Sequence, residues 1–231
     1  VAGRSIPKVD GREHVTGRHK YTSDLRREGM LFGSVVRPSH FNATLDARES
    51  ASTNMPGTQV VQDGDFLAVT ASDQQTGSRT AKLLAARWKV SEQQPGNAEL
   101  FNYLRKNAGP GRGRPVGSIT DGFTAADQKL EQTYTVAYIA HAPLEPRAAV
   151  AEWVDNKLTV WTGTQRPFGV RSELAEALHI PASRIRVIVP DTGSGYGGKH
   201  SGECAIEAAR LALAAKKPVT VGWSREAEFT W

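Results

Sequence analysis

The chain has 231 residues, enough for one large domain or two small ones, and its 39% hydrophobic content excludes disorder throughout. No apolar run approaches the roughly 18 residues of a membrane-spanning helix, so no membrane span is predicted. A net charge of +5 raises the question of nucleic-acid binding. The densest basic stretch, Arg105–Arg114, is rich in Gly and Pro and lacks aromatic residues that stack on bases. We interpret it as a solvated linker, with a binding arm as the alternative, and predict no nucleic-acid partner.

The first 90 residues predict a small α+β unit. Strands are indicated by short apolar runs bounded by turn signals, and helices by apolar residues at helical spacing. Pro56-Gly57 and Asp63-Gly64 mark turns. Strands are predicted at Met30–Val36 and Phe66–Ala71, and helices at Leu45–Ser52 and Thr76–Trp88.

The remainder of the chain begins with a long connection and continues with a strand-rich region. Ser91–Asp127 is rich in Gln, Asn, Gly and Pro and is predicted to be extended. The strands predicted after it are Gln132–Tyr138, Ala148–Val154, Leu158–Thr162, Arg184–Val189 and Pro218–Trp223, and the helices are Arg171–His179 and Ser201–Lys216. The single cysteine, Cys204, excludes an internal disulfide and is predicted to be buried in the last of these helices.

A glycine-rich loop between a predicted strand and a predicted helix is the most informative local feature. It reads Asp-Thr-Gly-Ser-Gly-Tyr-Gly-Gly-Lys-His from Asp191 to His200. Dense glycine lets backbone approach a bulky group, and N–H groups between a strand and a helix can converge on an anion. A cofactor loop is therefore favoured, although the glycines could serve only a tight turn.

Two familiar phosphate-binding patterns fit this loop in part. Gly193, Gly198 and Lys199 match a phosphate loop, but His200 stands where the magnesium-binding hydroxyl belongs. The glycines also match the dinucleotide fingerprint, which needs an acidic residue about 20 positions further on. Ala212–Val221 contains no acidic residue. Both patterns are disfavoured.

Several segments in order resemble the xanthine dehydrogenase/aldehyde oxidase family. The loop Gly193–Lys199 is similar to that family's Gly-Gly-Gly-Phe-Gly-Gly-Lys loop. The other similar segments are Pro7–Gly11, Val15–Gly17, Tyr21–Leu25, Leu31–His40, Asp63–Val69, His141–Pro146, Thr164–Arg171 and Trp223–Phe229. The resemblance implies an α+β fold, with an α/β hammerhead domain over residues 1–90. It further implies an extended linker over 91–129 and the first, truncated part of a molybdopterin-binding domain over 130–231.

The resemblance also implies the residues that face the cofactor. Gln165 would hydrogen-bond an oxygen ligand of molybdenum, a task suited to a neutral amide. Gly195, Tyr196 and Gly197 would approach the metal and its dithiolene through backbone N–H groups. The alternative for Gln165 is a cap on the helix that begins near Pro167. No residue of the chain is predicted to ligate a metal.

His200 marks a departure from purine-oxidising relatives, which have a substrate-contacting glutamate after the loop lysine. A histidine there argues against a purine and for an aldehyde or another heteroaromatic compound, as in the isoquinoline- and nicotinate-type branch. The alternative is a surface histidine without a role. His141 and Glu145 are interpreted as structural or supporting residues, because His-x-x-x-Glu on one segment is a poor metal site.

The resemblance implies a molybdenum hydroxylase large subunit that uses molybdopterin in its cytosine dinucleotide form. Its partners would be the remainder of the large subunit, an iron–sulfur small subunit, in some relatives a cytochrome, and a small-molecule substrate. In relatives the catalytic base is a glutamate in a Gly-x-Gly-Glu motif, which this sequence lacks. We therefore predict an N-terminal portion with no catalytic residue of its own, inactive alone and prone to self-association. A non-catalytic binding or assembly module is the alternative.

Overall fold

The computed structural model describes residues 2–38, 40, 42–48, 55–90, 94–111, 113–114 and 116–230. Its contacts define two units: residues 1–90 with 140–231, and residues 91–139. Helices and strands are mixed along the chain, so the predicted α+β class is confirmed.

The larger unit is built on a seven-stranded mixed sheet. Its strands are β1 (Leu31–Val35), β3 (Thr58–Asp63), β4 (Phe66–Ala71), β6 (Ala148–Val154), β7 (Lys157–Thr162), β8 (Ile185–Ile188) and β9 (Val219–Gly222). Their order is β3-β4-β1-β9-β6-β7-β8. The β1–β9 and β7–β8 pairs are parallel and the other pairs are antiparallel. A separate antiparallel pair joins β2 (Thr44–Arg48) to β5 (Ala86–Lys89).

The α-helices that the structure describes in the larger unit are α1 (Gly11–Val15), α2 (Gln74–Leu83), α5 (Pro167–Leu178), α6 (Glu203–Ala215) and α7 (Arg225–Thr230). Helix α6 packs on β6 and β9, and α5 packs on β8. The core lies between α6 and the sheet, where small side chains at helical spacing allow close approach. The buried members of α6 are Cys204, Ala205, Glu207, Ala208, Ala209, Leu211 and Ala212.

The predicted apolar strands are confirmed, with shifts of one or two residues at their ends. The prediction that Cys204 is buried is also confirmed. Helix α5 begins four residues earlier than predicted, because Pro167 sits at a helix N-terminus where its missing N–H is not needed. His179, with a φ of 53°, ends it in the left-handed conformation.

Four local predictions are wrong. The helix predicted at Thr76–Trp88 ends at Leu83 as α2, and residues 86–88 lie in strand β5 because they pair with β2. Residues 45–48 of the helix predicted at Leu45–Ser52 lie in strand β2, and residues 49–52 lie outside the described residues. The connection after residue 90 contains α3 (Leu100–Lys106) and α4 (Ile119–Ala125), so it is not extended throughout. Gln132–Tyr138 is not a strand, because it pairs with no other strand in the described part of the chain. Among the described residues, no helix is long and apolar enough to cross a membrane.

Candidate functional site

The glycine-rich loop joins β8 to α6 and makes a tight bend. Ser194, Tyr196 and Gly197 have φ angles of 85°, 54° and 98°. The N–H of Gly198 donates to the carbonyl of Gly195 across 2.7 Å, which closes the bend. Two of the three left-handed residues carry a side chain, so the surroundings must hold this backbone in place.

Gln165 holds the loop from the segment between β7 and α5. Its backbone N–H donates to the carbonyl of Lys199 at 2.9 Å, and its Oε1 accepts from the N–H of Gly197 at 2.9 Å. The hydroxyl of Thr164 donates to the same Lys199 carbonyl at 3.1 Å. Helix α5 has Arg166 at its N-cap and no side-chain cap. The alternative of Gln165 as a helix cap is therefore wrong.

The absence of a side chain at Gly195 allows this close approach of Gln165. A Cβ at Gly195 would lie 2.6 Å from Gln165 Oε1, well inside contact distance. At Gly197 the left-handed φ itself favours glycine. The structure therefore brings together Gln165, Gly195, Tyr196 and Gly197, four of the residues predicted to face the cofactor.

A buried ion pair fixes the end of the loop. Lys199 is only 2% exposed, and its Nζ lies 2.5 Å from Glu145 Oε2. The same carboxylate oxygen accepts from the N–H of Gly193 at 2.8 Å. Glu145 thus clamps both ends of the loop. Because Lys199 points inward and is paired, it cannot serve a bound phosphate, which contradicts the phosphate-loop pattern.

The dinucleotide pattern also disagrees with the structure. Its third glycine should open a helix within a parallel βαβ unit. Here α6 starts at Glu203, five residues after Gly198. Strand β8 pairs with β7 at the edge of a mixed sheet. The loop therefore belongs to a different kind of site.

Arg147 contacts the loop, although its sequence context did not predict this. Its guanidinium donates to the carbonyl of Gly198 and lies 2.7 Å from Glu228 Oε2. His141 packs beside the loop, since a Cβ at Gly198 would meet its Cβ at 3.0 Å. The only signal for Arg147 was its position just after the His141–Pro146 segment.

The loop leaves a set of hydrogen-bond donors free. Within the described residues, the N–H groups of Ser194, Gly195 and Tyr196 make no hydrogen bond, and neither does the amide nitrogen of Gln165. Tyr196 is 70% exposed, and His200, directly after Lys199, is also exposed. The donors and the glycine-lined bend fit an electron-rich, bulky ligand such as a molybdenum-bearing pterin.

Comparison with known sequences assigns the family. The molybdopterin cofactor-binding domain matches residues 105–231, and the chain belongs to that family. A nicotinate dehydrogenase subunit from Pseudomonas putida is 31% identical over 245 residues, covering 100% of this chain and 20% of the relative. The aldehyde oxidoreductase molybdenum-binding subunit PaoC of Escherichia coli is 30% identical over 262 residues, covering 96% of this chain and 34% of the relative. The chain thus spans between a fifth and about a third of these relatives.

Solved structures share the fold. Quinoline 2-oxidoreductase from Pseudomonas putida has a TM-score of 0.74 and 23% identity, with 98% of this chain and 35% of that one covered. CO dehydrogenase from Oligotropha carboxidovorans has a TM-score of 0.77 and 20% identity, with 98% and 35% covered. This chain therefore shares its α+β fold with part of each of these two proteins.

Proposed function

We propose that this chain is part of the large subunit of a molybdenum hydroxylase that hydroxylates aldehydes or N-heteroaromatic compounds with oxygen from water. The observation that carries the proposal is the hydrogen bond from Gly197 N–H to Gln165 Oε1. Because an N–H must meet an acceptor, the oxygen of the amide faces the loop. The amide nitrogen is then left to donate to a ligand held in the bend.

Each residue of the loop has a distinct part in this proposal. Gln165 would donate to an oxygen ligand of molybdenum, and the backbone N–H groups of Gly195, Tyr196 and Gly197 would approach the metal and its dithiolene. The N–H of Gly197 donates to Gln165 Oε1, and this hydrogen bond positions the Gln165 amide. When bound, the molybdenum centre supplies the oxygen transfer and takes up two electrons from the substrate.

His200 lies on the substrate side of the proposed site. It is exposed directly after the buried Lys199, so its imidazole is accessible beside the loop. A neutral imidazole can donate to or accept from a ring nitrogen or a carbonyl oxygen. This supports an aldehyde or an N-heteroaromatic substrate over a purine.

We propose the cytosine dinucleotide form of molybdopterin and an iron–sulfur small subunit, with a cytochrome as a further acceptor. Two electrons must leave the site after each turnover, so a redox partner is needed. We also propose the division into a hammerhead domain over 1–90, a linker over 91–129 and the first part of the molybdopterin-binding domain over 130–231.

The test uses the longest reading frame that contains this chain, produced with its neighbouring subunits in a host that makes the pterin cofactor. The purified protein should contain molybdenum and a pterin dinucleotide, and should transfer labelled oxygen from water to an aldehyde or N-heteroaromatic compound. Gln165→Ala should lower kcat about a hundredfold, because one donor aimed at the reacting group is lost. Gln75→Ala, exposed on α2, is the control. Purified protein without molybdenum, or an unchanged kcat in Gln165→Ala, would refute the proposal.

The 231-residue chain alone should show no turnover, even with bound cofactor. Its sequence has no Gly-x-Gly-Glu motif, so it lacks the proposed base for the attacking oxygen. Steady-state assays with benzaldehyde, nicotinate and quinoline test this. Turnover by the isolated chain at a rate comparable to the longer protein would contradict it.

A further inference from the structure

A cluster of side chains of the types that bind metals lies in the N-terminal segment. It does not include the hydrogen-bond donors of the glycine-rich loop. Asp10, His14 and His19 each offer one donor atom, and these atoms all lie within 4.8 Å of one another. Asp10 Oδ2 and His14 Nε2 are 3.1 Å apart. In a tetrahedral zinc site, neighbouring donor atoms are about 3.3 Å apart.

Local backbone structure brings the three side chains together. Asp10 and His14 are four residues apart at the start of α1, so they share one side of the helix. The N–H groups of Arg18 and His19 both donate to the carbonyl of Glu13, at 2.9 Å and 3.1 Å, and fold the chain back over α1. The two imidazoles stack with their centroids 3.9 Å apart, so one ring must turn for both rings to bind a single ion.

The Tyr21 hydroxyl can set the tautomer of His14. Its Nδ1 lies 3.3 Å from the Tyr21 hydroxyl, which can accept the Nδ1 proton and leave Nε2 with a lone pair. An outer hydrogen bond of this kind fixes the tautomer of most metal-binding histidines. His14 Nε2 faces both Asp10 Oδ2 and, at 2.7 Å, the ammonium of Lys8. The Lys8 ammonium is thus a cation already in contact with the nitrogen that would bind the metal.

His19 contributes a second observation. Its side chain is only 9% exposed, and its Nε2 lies 2.9 Å from Asp191 Oδ2 without forming a hydrogen bond there. A buried imidazole in contact with a carboxylate that it does not hydrogen-bond is an unsatisfied polar group. A metal bound to His19 Nε2 would satisfy it and would lie beside the Asp191 carboxylate.

We propose that Asp10, His14 and His19 form a binding site for a zinc-class divalent cation. Two imidazoles and a carboxylate suit Zn²⁺, whereas Mg²⁺ and Ca²⁺ prefer all-oxygen ligands. The site is separate from the molybdenum chemistry and does not rest on it. Since Tyr21 and Asp191 also form a parallel bridge, the metal ties the N-terminal segment to the start of the glycine-rich loop.

The ammonium of Lys8 would compete with a metal ion for His14 Nε2. Its side chain is 64% exposed, so its ammonium can move into solvent when a metal binds. Removing its charge should therefore tighten Zn²⁺ binding. Lys8→Met keeps most of the side-chain length and removes the charge.

The experiment is calorimetric titration of Zn²⁺ into the metal-free, untagged chain, because a histidine tag would bind the ion. We expect one equivalent to bind. His14→Ala and His19→Ala should weaken binding more than about tenfold, since even outer partners of metal ligands are worth that much. The control is His179→Asn, an exposed histidine in the left-handed conformation that Asn tolerates. Lys8→Met should bind more tightly.

A second measurement does not depend on the variants folding. Zinc X-ray absorption of the wild-type chain should show imidazole nitrogens from two histidines in the first coordination shell. Absence of Zn²⁺ binding, a first shell without imidazole, equal affinity in wild type and His19→Ala, or weaker binding by Lys8→Met would each overturn the proposal.

Discussion

At the scale of single residues, the buried contact of Lys199 with Glu145 shows how the loop depends on a distant side chain. The two atoms are 2.5 Å apart, and the side chains are 2% and 14% exposed. Removing two charges from water is costly, and their attraction offsets that cost only while both are present. The two side chains therefore stabilise the fold only together, and the loss of either one is costly.

Lys199→Met should lower the free energy of unfolding by about 3–5 kcal/mol, because it leaves the Glu145 carboxylate buried and unpaired. Glu145→Gln should also destabilise the chain. The double variant should lose less than the sum of the two single losses. Urea denaturation of all four proteins measures this coupling. Strictly additive losses would show that the pair is not coupled.

Gly195→Ala tests the close approach to Gln165. The new Cβ would lie 2.6 Å from Gln165 Oε1, so either the amide or the loop must move. We expect a loss of about 1–3 kcal/mol in the free energy of unfolding, the usual cost of overpacking. Gly222→Ala is the control, since its Cβ would meet nothing within 4 Å. Equal effects of the two substitutions in urea denaturation would contradict the packing argument.

The sequence allowed the loop and Gln165 to be named as one site because their motifs resemble a known family. It did not reveal Arg147, whose contacts are with Gly198 and Glu228. Those residues are distant in sequence, and no local spacing encodes their approach. Cofactor roles for Gln165, Gly195, Tyr196, Gly197 and His200 remain predictions.

At the scale of secondary-structure elements, α6 determines how closely the layers pack. Its sheet-facing alanines, Ala205, Ala208, Ala209 and Ala212, are each at most 1% exposed. Small side chains let the helix lie close to β6 and β9, so there is no room for a larger residue.

Ala208→Leu should therefore lower the free energy of unfolding by about 1–3 kcal/mol. Ala214→Leu is the matched control, because Ala214 is exposed on the same helix. Thermal or urea denaturation distinguishes the two. The packing model is contradicted if both substitutions have the same small effect.

Glu207 of α6 should make stability depend on pH. Burial raises its pKa above the ordinary value of 4.5, although Arg37 and Trp223 favour the charged form. The folded chain then holds this proton more tightly than the unfolded chain. The stability that Glu207 contributes is fully present below about pH 4.5 and is lost as pH rises through the raised pKa.

The wild type should thus lose stability relative to Glu207→Gln as pH rises above about 4.5, in urea denaturation at a series of pH values. Glu176→Gln, exposed on α5, should show no such trend. A wild-type stability that increases relative to Glu207→Gln as the pH rises would contradict the expected direction of the pH dependence.

The sequence predicted most of these elements because buried strands and the α6 helix have strong apolar patterns. The sequence-based predictions failed where pairing with a distant strand determines the local structure. Leu45 lies in a short segment with helical propensity, but pairing of β2 with β5 makes it a strand. Gln132–Tyr138 alternates as a strand should, yet alternation alone provides no hydrogen-bonding partner.

At the scale of the whole molecule, residues 130–139 display an apolar surface. Tyr134, Val136, Tyr138 and Ile139 are each at least 75% exposed. Exposed apolar groups with unpaired backbone are prone to association. We expect the purified chain to self-associate with increasing concentration, as measured by light scattering over a dilution series. Replacing Tyr134, Val136 and Tyr138 by Ser should shift it towards monomer. A monomer at every wild-type concentration would contradict this expectation.

The position of β1 between β4 and β9 has a consequence for dividing the polypeptide. Residues 31–33 of β1 pair with residues 219–221 of β9, so a piece comprising residues 140–231 would present β9 as a bare edge. Expressed by itself, such a half should precipitate. Co-expressed with residues 1–90, it should regain solubility by split-protein complementation, with β1 supplied in trans.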